Sequence, residues 1–234
     1  MSGWKAKRFW KEASVERDGE GWGIRLDARA VKTPSKAPLI VPTEAMARAI
    51  AAEWDAQTGE VKPDTMPFTR SANSAIDKVA VQFDAVAEML AAYGGTDLLC
   101  YRADAPEGLI ARQKALWDPL LEWSATELAA PLAVTSGVLP IAQDPASLEK
   151  FVAEVKSYDN FQLTALHDLI AISGSLVIGL AVARGRISVA EAWEASRVDE
   201  TWQAQQWGAD EEAEEIEALK RQALEHAAAF LAVC

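Results

Sequence analysis

An α+β protein is predicted: a small N-terminal antiparallel β domain over residues 1–42, packed on a larger C-terminal α-helical domain over residues 43–234. The period of the apolar residues carries that reading. It is two between residues 8 and 42 and switches to three-and-four from Thr43 onward, so strand spacing gives way to helix spacing. Chain length agrees, since 234 residues suffice for one large domain or two small ones.

In the first segment FWKEASVER alternates, GEG turns, and WGIRLD alternates again; Ala28-Arg29 turns into AVKT, and LIVP follows Pro34 and Pro38. Three or four strands this short are marginal alone, so the sheet needs helices to pack on. Thr43 caps a helix whose Met46, Ile50 and Trp54 share a face and which ends at Gly59. EVKPDTMPF, residues 60–68, is a linker or ordered loop with two prolines. A long helix then runs to Tyr93 on Ile76, Val79, Phe83, Val86 and Leu90, and Gly94-Gly95 stops it. TDLLCYR is a short buried helical turn or an extended piece. Pro106 opens the next helix, striped by Leu109, Leu116, Leu120 and Trp123 and kinked by Pro119.

Residues 130–143 form a loop, after which Asp144-Pro145 starts a helix bearing Leu148, Phe151, Val152 and Val155. Asn160 caps a helix to Ala183, closed at Gly185, in which Gly174 and Gly179 permit close helix contact. It is apolar nearly all round and so belongs at the centre of the helical domain. A last helix, about residues 210–233, opens with six acids in eight positions, which suits the dipole of a helix N-terminus.

Just before it lies SVAEAWEASRVDETWQAQQWG, residues 188–208. Ser188 and Glu191 form a capping box, and Gly208 closes a single predicted helix. On its wheel Trp193, Glu200 and Trp207 recur every seven residues, drifting about 40° over four turns. Val189 and Ala204 share that face, Ser196 and Arg197 flank it, and Ala195, Val198 and Trp202 line the opposite side. A helix apolar on two sides is sandwiched between other elements, and a carboxylate between two tryptophans is out of place there. Glu200 is therefore either ion-paired with Arg197 at i, i+3 or held as a charged anchor in an aromatic binding surface.

The net charge of −12 argues against nucleic acid and anionic membrane as partners. It is unevenly spread, net +4 over residues 1–36 and −16 beyond. Two cysteines, Cys100 and Cys234, make no disulfide framework and fit a reducing compartment. MSGWKAKRFW lacks the apolar region of a signal peptide. The most apolar run, residues 169–183, is interrupted by Ser173, Gly174, Ser175 and Gly179 and is too short to span a bilayer. A soluble protein without membrane insertion is expected.

His167 and His226 are the only histidines and have no partner at zinc-binding spacing. GEGWG sits between strands rather than before a helix, and GSLVIGL lacks the lysine of a P-loop. The acids of 210–217 lack the pattern of a calcium loop and read as a solvated face. No cofactor and no metal are expected. Nine tryptophans, an out-of-place glutamate and an acidic surface are instead features of a protein-binding module.

LIVPTEAMARAIAAEWDAQ, MPFTRSANSAID, GTDLLCYRADAPEGLIARQKALWDPLLEW and RVDETWQAQQWG, in that order, resemble the successive motifs of the ATP-twelve family, and the resemblance covers nearly the whole chain. It implies a small β domain joined to a larger α-helical one, and a non-enzymatic chaperone for assembly of the catalytic sector of the F-type ATP synthase. The implied partner is the free α subunit, kept from aggregating until a β subunit takes its place. The family's important acid lies in the stretch matched here by VDETWQAQQWG. Where relatives carry consecutive acids this chain has Asp199 and Glu200, and Thr201 departs from the pattern. Both acids are eligible, and the wheel favours Glu200. The partner-binding residues expected are Glu200, Asp199, Trp207, Trp202, Gln203 and Arg197. Mitochondrial members carry a transit peptide and act in the matrix. None is seen here, which implies a bacterial, α-proteobacterial, cytoplasm, and the chain is expected to act as a monomer.

Two readings from other classes compete: a stable structural subunit of a complex, and an enzyme using Glu200 or His167 in a tryptophan-lined pocket. A pull-down separates the first from a chaperone, which brings down free α subunit without β rather than the whole assembly.

Overall fold

The computed structural model describes residues 7–137, 139–208 and 210–234. Residues 1–6 of the expected β domain and Val138 of the expected loop lie outside the described residues. The architecture is the predicted α+β one, a small N-terminal antiparallel sheet and a larger helical portion. By packing, the chain forms two compact units: residues up to 83 with 160–164 and 229–234, and residues 84–159 with 165–228. The first unit takes in helices beyond residue 42, where the sequence reading ends the β domain.

In the first unit, β1 (Ala13–Asp18) and β2 (Gly21–Leu26) form a hairpin in the register Ala13↔Leu26 to Asp18↔Gly21. β3 (Arg29–Ala30) and β4 (Ile40–Val41) both pair antiparallel with β2. β1 starts later than the alternation of FWKEASVER suggests, because Arg8 and Trp10 hold the helix α1 (Glu44–Asp55) instead. Arg8 Nη1 donates to Asp55 O, a carbonyl that the end of α1 leaves open, and, at 2.9 Å, to Gln57 O just beyond the helix. The Trp10 and Trp54 rings meet edge to face at 5.3 Å. Thr43 caps α1 as expected, its Oγ1 accepting from Met46 N at 3.2 Å, and Met46 and Ile50 are buried. The sheet and α1 share this apolar core.

The predicted helix to Tyr93 changes type along its length. α2 (Pro67–Ser74) passes into a π turn, Ala75–Val79, and a 3-10 turn, Ala80–Gln82, before α3 (Phe83–Ala91). Asn160 Nδ2 donates to Ala75 O at 3.1 Å, so Asn160 serves this ladder as well as opening its own helix. Asp77 accepts from Thr33 Oγ1 at 2.6 Å and from Ser35 N at 3.0 Å. A side chain that takes a backbone carbonyl of a helix, as Asn160 takes Ala75 O, goes with such a widened turn.

In the second unit TDLLCYR supplies both alternatives left open by its sequence. A 3-10 turn, Leu98–Cys100, runs into β5 (Tyr101–Arg102), which pairs in parallel with β6 (Thr135–Ser136). α4 (Glu107–Glu127) contains Pro119 and continues through it as one helix. α5 (Pro145–Lys156) is capped by Asp144. α6 (Asn160–Ser173), α7 (Leu176–Ala183), α8 (Val189–Ser196), α9 (Val198–Trp207) and α10 (Glu211–Leu231) follow in the chain, with the first five residues of α6 and the last three of α10 belonging to the first unit.

Two predicted helices are therefore broken, one at Gly174-Ser175 and one at Arg197. At the first break Gly174 takes φ 72°, a conformation that side-chain-bearing residues avoid. Ser175 Oγ then caps α7, accepting from Ile178 N at 3.0 Å. The same hydroxyl donates to Asp97 Oδ1 at 2.7 Å, while Val177 N donates to Asp97 Oδ2 at 3.0 Å and Leu99 N to Oδ1 at 3.0 Å. Burial pushes the Asp97 carboxyl up from its ordinary range, and the donors at the head of α7 oppose that shift. Gly179 gives the close contact expected of it, since a Cβ there would lie 2.6 Å from Ile170 Cγ1.

Asp97→Ala should lower stability by on the order of 3 kcal/mol, because it strands buried donors at the head of α7. Urea unfolding of the two proteins checks this, and equal midpoints would show the cap to be dispensable. A 1–42 fragment should give the collapsed amide spectrum of an unfolded chain, since its sheet has lost α1. Dispersed resonances from that fragment would show the sheet to be self-sufficient.

Candidate functional site

The site is built on Arg197, where α8 gives way to α9. Ser196 Oγ donates to Trp193 O at 2.9 Å, and Arg197 adopts φ −121°, ψ 24°, outside the helical region. Its side chain is buried. Nη2 donates to Ile172 O at 2.7 Å, one of the carbonyls that the end of α6 leaves without a helical partner. Nη1 donates to Glu200 Oε1 at 2.8 Å, and the guanidinium lies over the Trp193 ring at 5.0 Å. Nε is 3.9 Å from Glu217 Oε1.

This corrects the single-helix wheel. No continuous helix carries Trp193, Glu200 and Trp207 in one row, because the backbone turns between the first and the second. Trp193 is half-buried beneath Arg197, whereas Trp207 is 79% exposed. The i, i+3 ion pair of Arg197 and Glu200 is present, and it leaves 49% of the Glu200 side chain exposed.

The other face of α9 is occupied by α4. Gln113 Nε2 donates to Asp199 Oδ1 at 2.7 Å. The Trp202 ring rests on Gly108, where a Cβ would fall 2.7 Å from Cη2, and Arg112 stacks on that ring at 5.2 Å. Arg112 Nη2 also donates to Gln205 Oε1 at 3.0 Å. Asp199, Trp202 and Gln205 recur every three residues and so face the same way. α8 is held beside them by Trp117 Nε1, which donates to Ala195 O at 2.7 Å. Of the six residues singled out in the sequence, Asp199 and Trp202 thus dock α9 and Arg197 sets its starting angle. Glu200, Gln203 and Trp207 are exposed. The docking partners Gly108, Arg112, Gln113 and Gln205 carry no local sequence signal, since their roles depend on a helix some ninety residues away.

Two grooves flank the first turn of α9. One of about 470 Å³ runs past Leu98, residues 171–174, Arg197, Glu200 and Lys220. The other, about 320 Å³, runs past Tyr101, Asp104, Leu109, Gln113, Asp199 and Gln203. The two adjacent acids therefore line different grooves. His167 lines neither; its Nδ1 is 2.9 Å from Asp168 Oδ1, and that bond raises the imidazole pKa. Among the described residues no three His, Cys, Asp or Glu side chains gather to hold a metal, and no helix is long and apolar enough to cross a membrane.

Fold and site together define an α+β protein that presents a short helix with an exposed glutamate and tryptophan. A family model described as ATP12 chaperone protein matches residues 7–125. The chain is similar to the mitochondrial protein atp12 of Schizosaccharomyces pombe, 27% identical over 225 residues that take in 90% of this chain and 77% of the relative. Among solved structures it is similar to Atp12 from Paracoccus denitrificans, at 55% identity and a TM-score of 0.96 over 99% of each chain. A lysine-for-aspartate mutant of the Paracoccus protein matches with the same TM-score and identity. A candidate chaperone of Agrobacterium tumefaciens matches at 39% identity and a TM-score of 0.93, over 97% of this chain and 85% of that one. The chain belongs to the ATP12 chaperone family.

Gly108→Ala puts a methyl group where the stiff Trp202 ring now lies, so α9 should loosen while α4 stays intact. Amide exchange over residues 198–207 is expected to quicken roughly tenfold. Unchanged exchange there would show that Trp202 does not hold α9 in place.

Proposed function

We propose that this protein is a non-enzymatic chaperone for assembly of the catalytic sector of the F-type ATP synthase, holding the free α subunit until a β subunit replaces it. Membership of the ATP12 chaperone family and the likeness to Atp12 proteins support the class of activity. The observation that carries client binding is the outer face of α9, where Glu200 and Trp207 stand exposed while Asp199 and Trp202 hold the helix from behind. A subunit not yet assembled exposes apolar surface that its partner will later bury, and such surface is covered by aromatic anchors with a polar rim. Trp207 supplies apolar area and Gln203 adaptable hydrogen bonds. Glu200 supplies a carboxylate already oriented by Arg197 and still open to a client's arginine or backbone amides. The protein works as a monomer in a bacterial cytoplasm.

Glu200→Gln should weaken binding of the α subunit by about 1.5–3 kcal/mol, the worth of one charge-assisted hydrogen bond, with little change in folding. Glu200→Lys should be worse, because it also repels Arg197 and any cationic client group. Arg197→Ala should act differently and lower the melting temperature, since it removes the contacts with Ile172 O, Trp193 and Glu200 together. Asp199→Asn should chiefly loosen α9 from α4. Thermal unfolding and suppression of aggregation of isolated α subunit, run side by side on the four variants, separate these effects. Full suppression by Glu200→Gln, or a loss that merely tracks unfolding, sinks the assignment to Glu200.

A further inference from the structure

Beyond Trp202 the chain folds into an arm with little cover. Of residues 203–208 and 210–223, every one is exposed except Glu217. Arg197 at the start of α9 meets Glu217, well inside α10, and Lys220 shares a groove with Arg197 and Glu200. The two helices therefore run antiparallel, and their far end is the turn at Gly208, φ 85°. The acids at its tip read as a solvated face in the sequence, but the structure places apolar side chains among them.

Surface helices ordinarily turn an apolar stripe inward and leave the charged face outside. Here Trp207, Ile216 and Leu219 are 79%, 47% and 66% exposed. Ile216 and Leu219 share one face of α10 at i, i+3, and Glu212 and Glu215 each precede one of them by a turn on that face. Along the arm, six acids between Asp210 and Glu217 stand against two bases, Lys220 and Arg221.

We infer that this arm is a docking surface for a cationic, amphipathic segment of a client protein. The segment's apolar face covers Trp207, Ile216 and Leu219, and its lysines or arginines meet the acids one turn away. Charge selects this occupant. A second copy of the arm would set six acids against six, and an anionic lipid surface is repelled for the same reason. The inference rests on the chaperone reading for the identity of the client, the free α subunit, but not for the chemistry of the surface.

The test uses the full chain and three variants: Ile216→Ser with Leu219→Ser, Trp207→Ala, and Glu211, Glu212, Glu214 and Glu215 all changed to Gln. These positions are exposed, so the serine and alanine variants should melt near wild type, while the glutamine variant, which removes acids that suit the dipole at the start of α10, should melt somewhat lower. The first probe is a synthetic Lys/Leu amphipathic helix, compared with a scrambled peptide of the same composition. The wild-type protein should bind the amphipathic peptide at least roughly tenfold more tightly than the scrambled one. Both the serine variant and Trp207→Ala should lose that preference, and the glutamine variant should lose most of the salt dependence. Equal binding of the two peptides, or a preference that survives the serine variant, overturns the inference. The second probe is isolated α subunit. Capture by wild type that falls in the same variants supports both readings, whereas equal capture by all of them removes the arm from the client surface. If the peptide discrimination holds and no α subunit is captured, the surface stands and the identity of the client falls.

Discussion

Asp97 is fully buried, yet it accepts bonds from Leu99 N, Ser175 Oγ and Val177 N, so part of the cost of desolvating its carboxylate is offset at the head of α7. Much of the candidate site follows from that contact. It fixes Ser175 as the cap of α7 and, with Leu98 N donating to Gly174 O at 3.2 Å, pins the turn that ends α6. Because α6 ends there, the carbonyl of Ile172 has no helical donor and is left for Arg197. Leu98, Ser173 and Gly174 then line the larger groove beside α9. One buried acid thus positions the guanidinium from which α9 departs.

Arg197 in turn decides what α9 shows to solvent. A buried guanidinium is costly unless partners share its charge, and here a backbone carbonyl, a glutamate and an aromatic face do so, although Nε itself makes no hydrogen bond. Satisfying those partners takes Arg197 out of helical geometry, so α9 starts on a new axis. On that axis Asp199 and Trp202 point at α4, and Glu200 and Trp207 stay outside. Glu200 is therefore neither a pure stabiliser nor a free charge. Its bond to Arg197 holds one oxygen, and the exposure of the rest leaves the carboxylate available.

The sequence showed the order of elements well, because local signals govern it: Thr43, Asp144 and Ser188 cap as their types suggest, and the β1–β2 hairpin follows the alternation. It failed where periodicity carries no information. The run from Asn160 to Ala183 is buried on nearly all sides, so no change of face marks the break at Gly174, and the pair of serines around that glycine was the one local hint. The break at Arg197 was hidden for a different reason. Trp193, Glu200 and Trp207 keep a seven-residue spacing across it, and a wheel drawn through a kink manufactures a face that does not exist. The decisive contacts of Asp97, Asp199 and Arg197 reach across 25 to 86 residues, beyond any local pattern. The i, i+3 pair of Arg197 and Glu200 was legible because it is local.

The arm's acidity has a second consequence for a protein that displays apolar side chains to solvent. Exposed tryptophan, isoleucine and leucine on a projecting hairpin would ordinarily bring copies together, since each would bury the other's surface. Six acids beside them make that encounter repulsive over about a Debye length, roughly 8 Å at physiological salt. A cationic segment meets the same field with the opposite sign and is drawn in. The charges therefore act twice, against association of like with like and for capture of an unlike partner, without any change in the apolar contact itself. That asymmetry suits a surface that must stay free when no client is present. It also fits a transient hold: exposed charge pairs contribute little each and are screened, so the grip rests on a few apolar side chains.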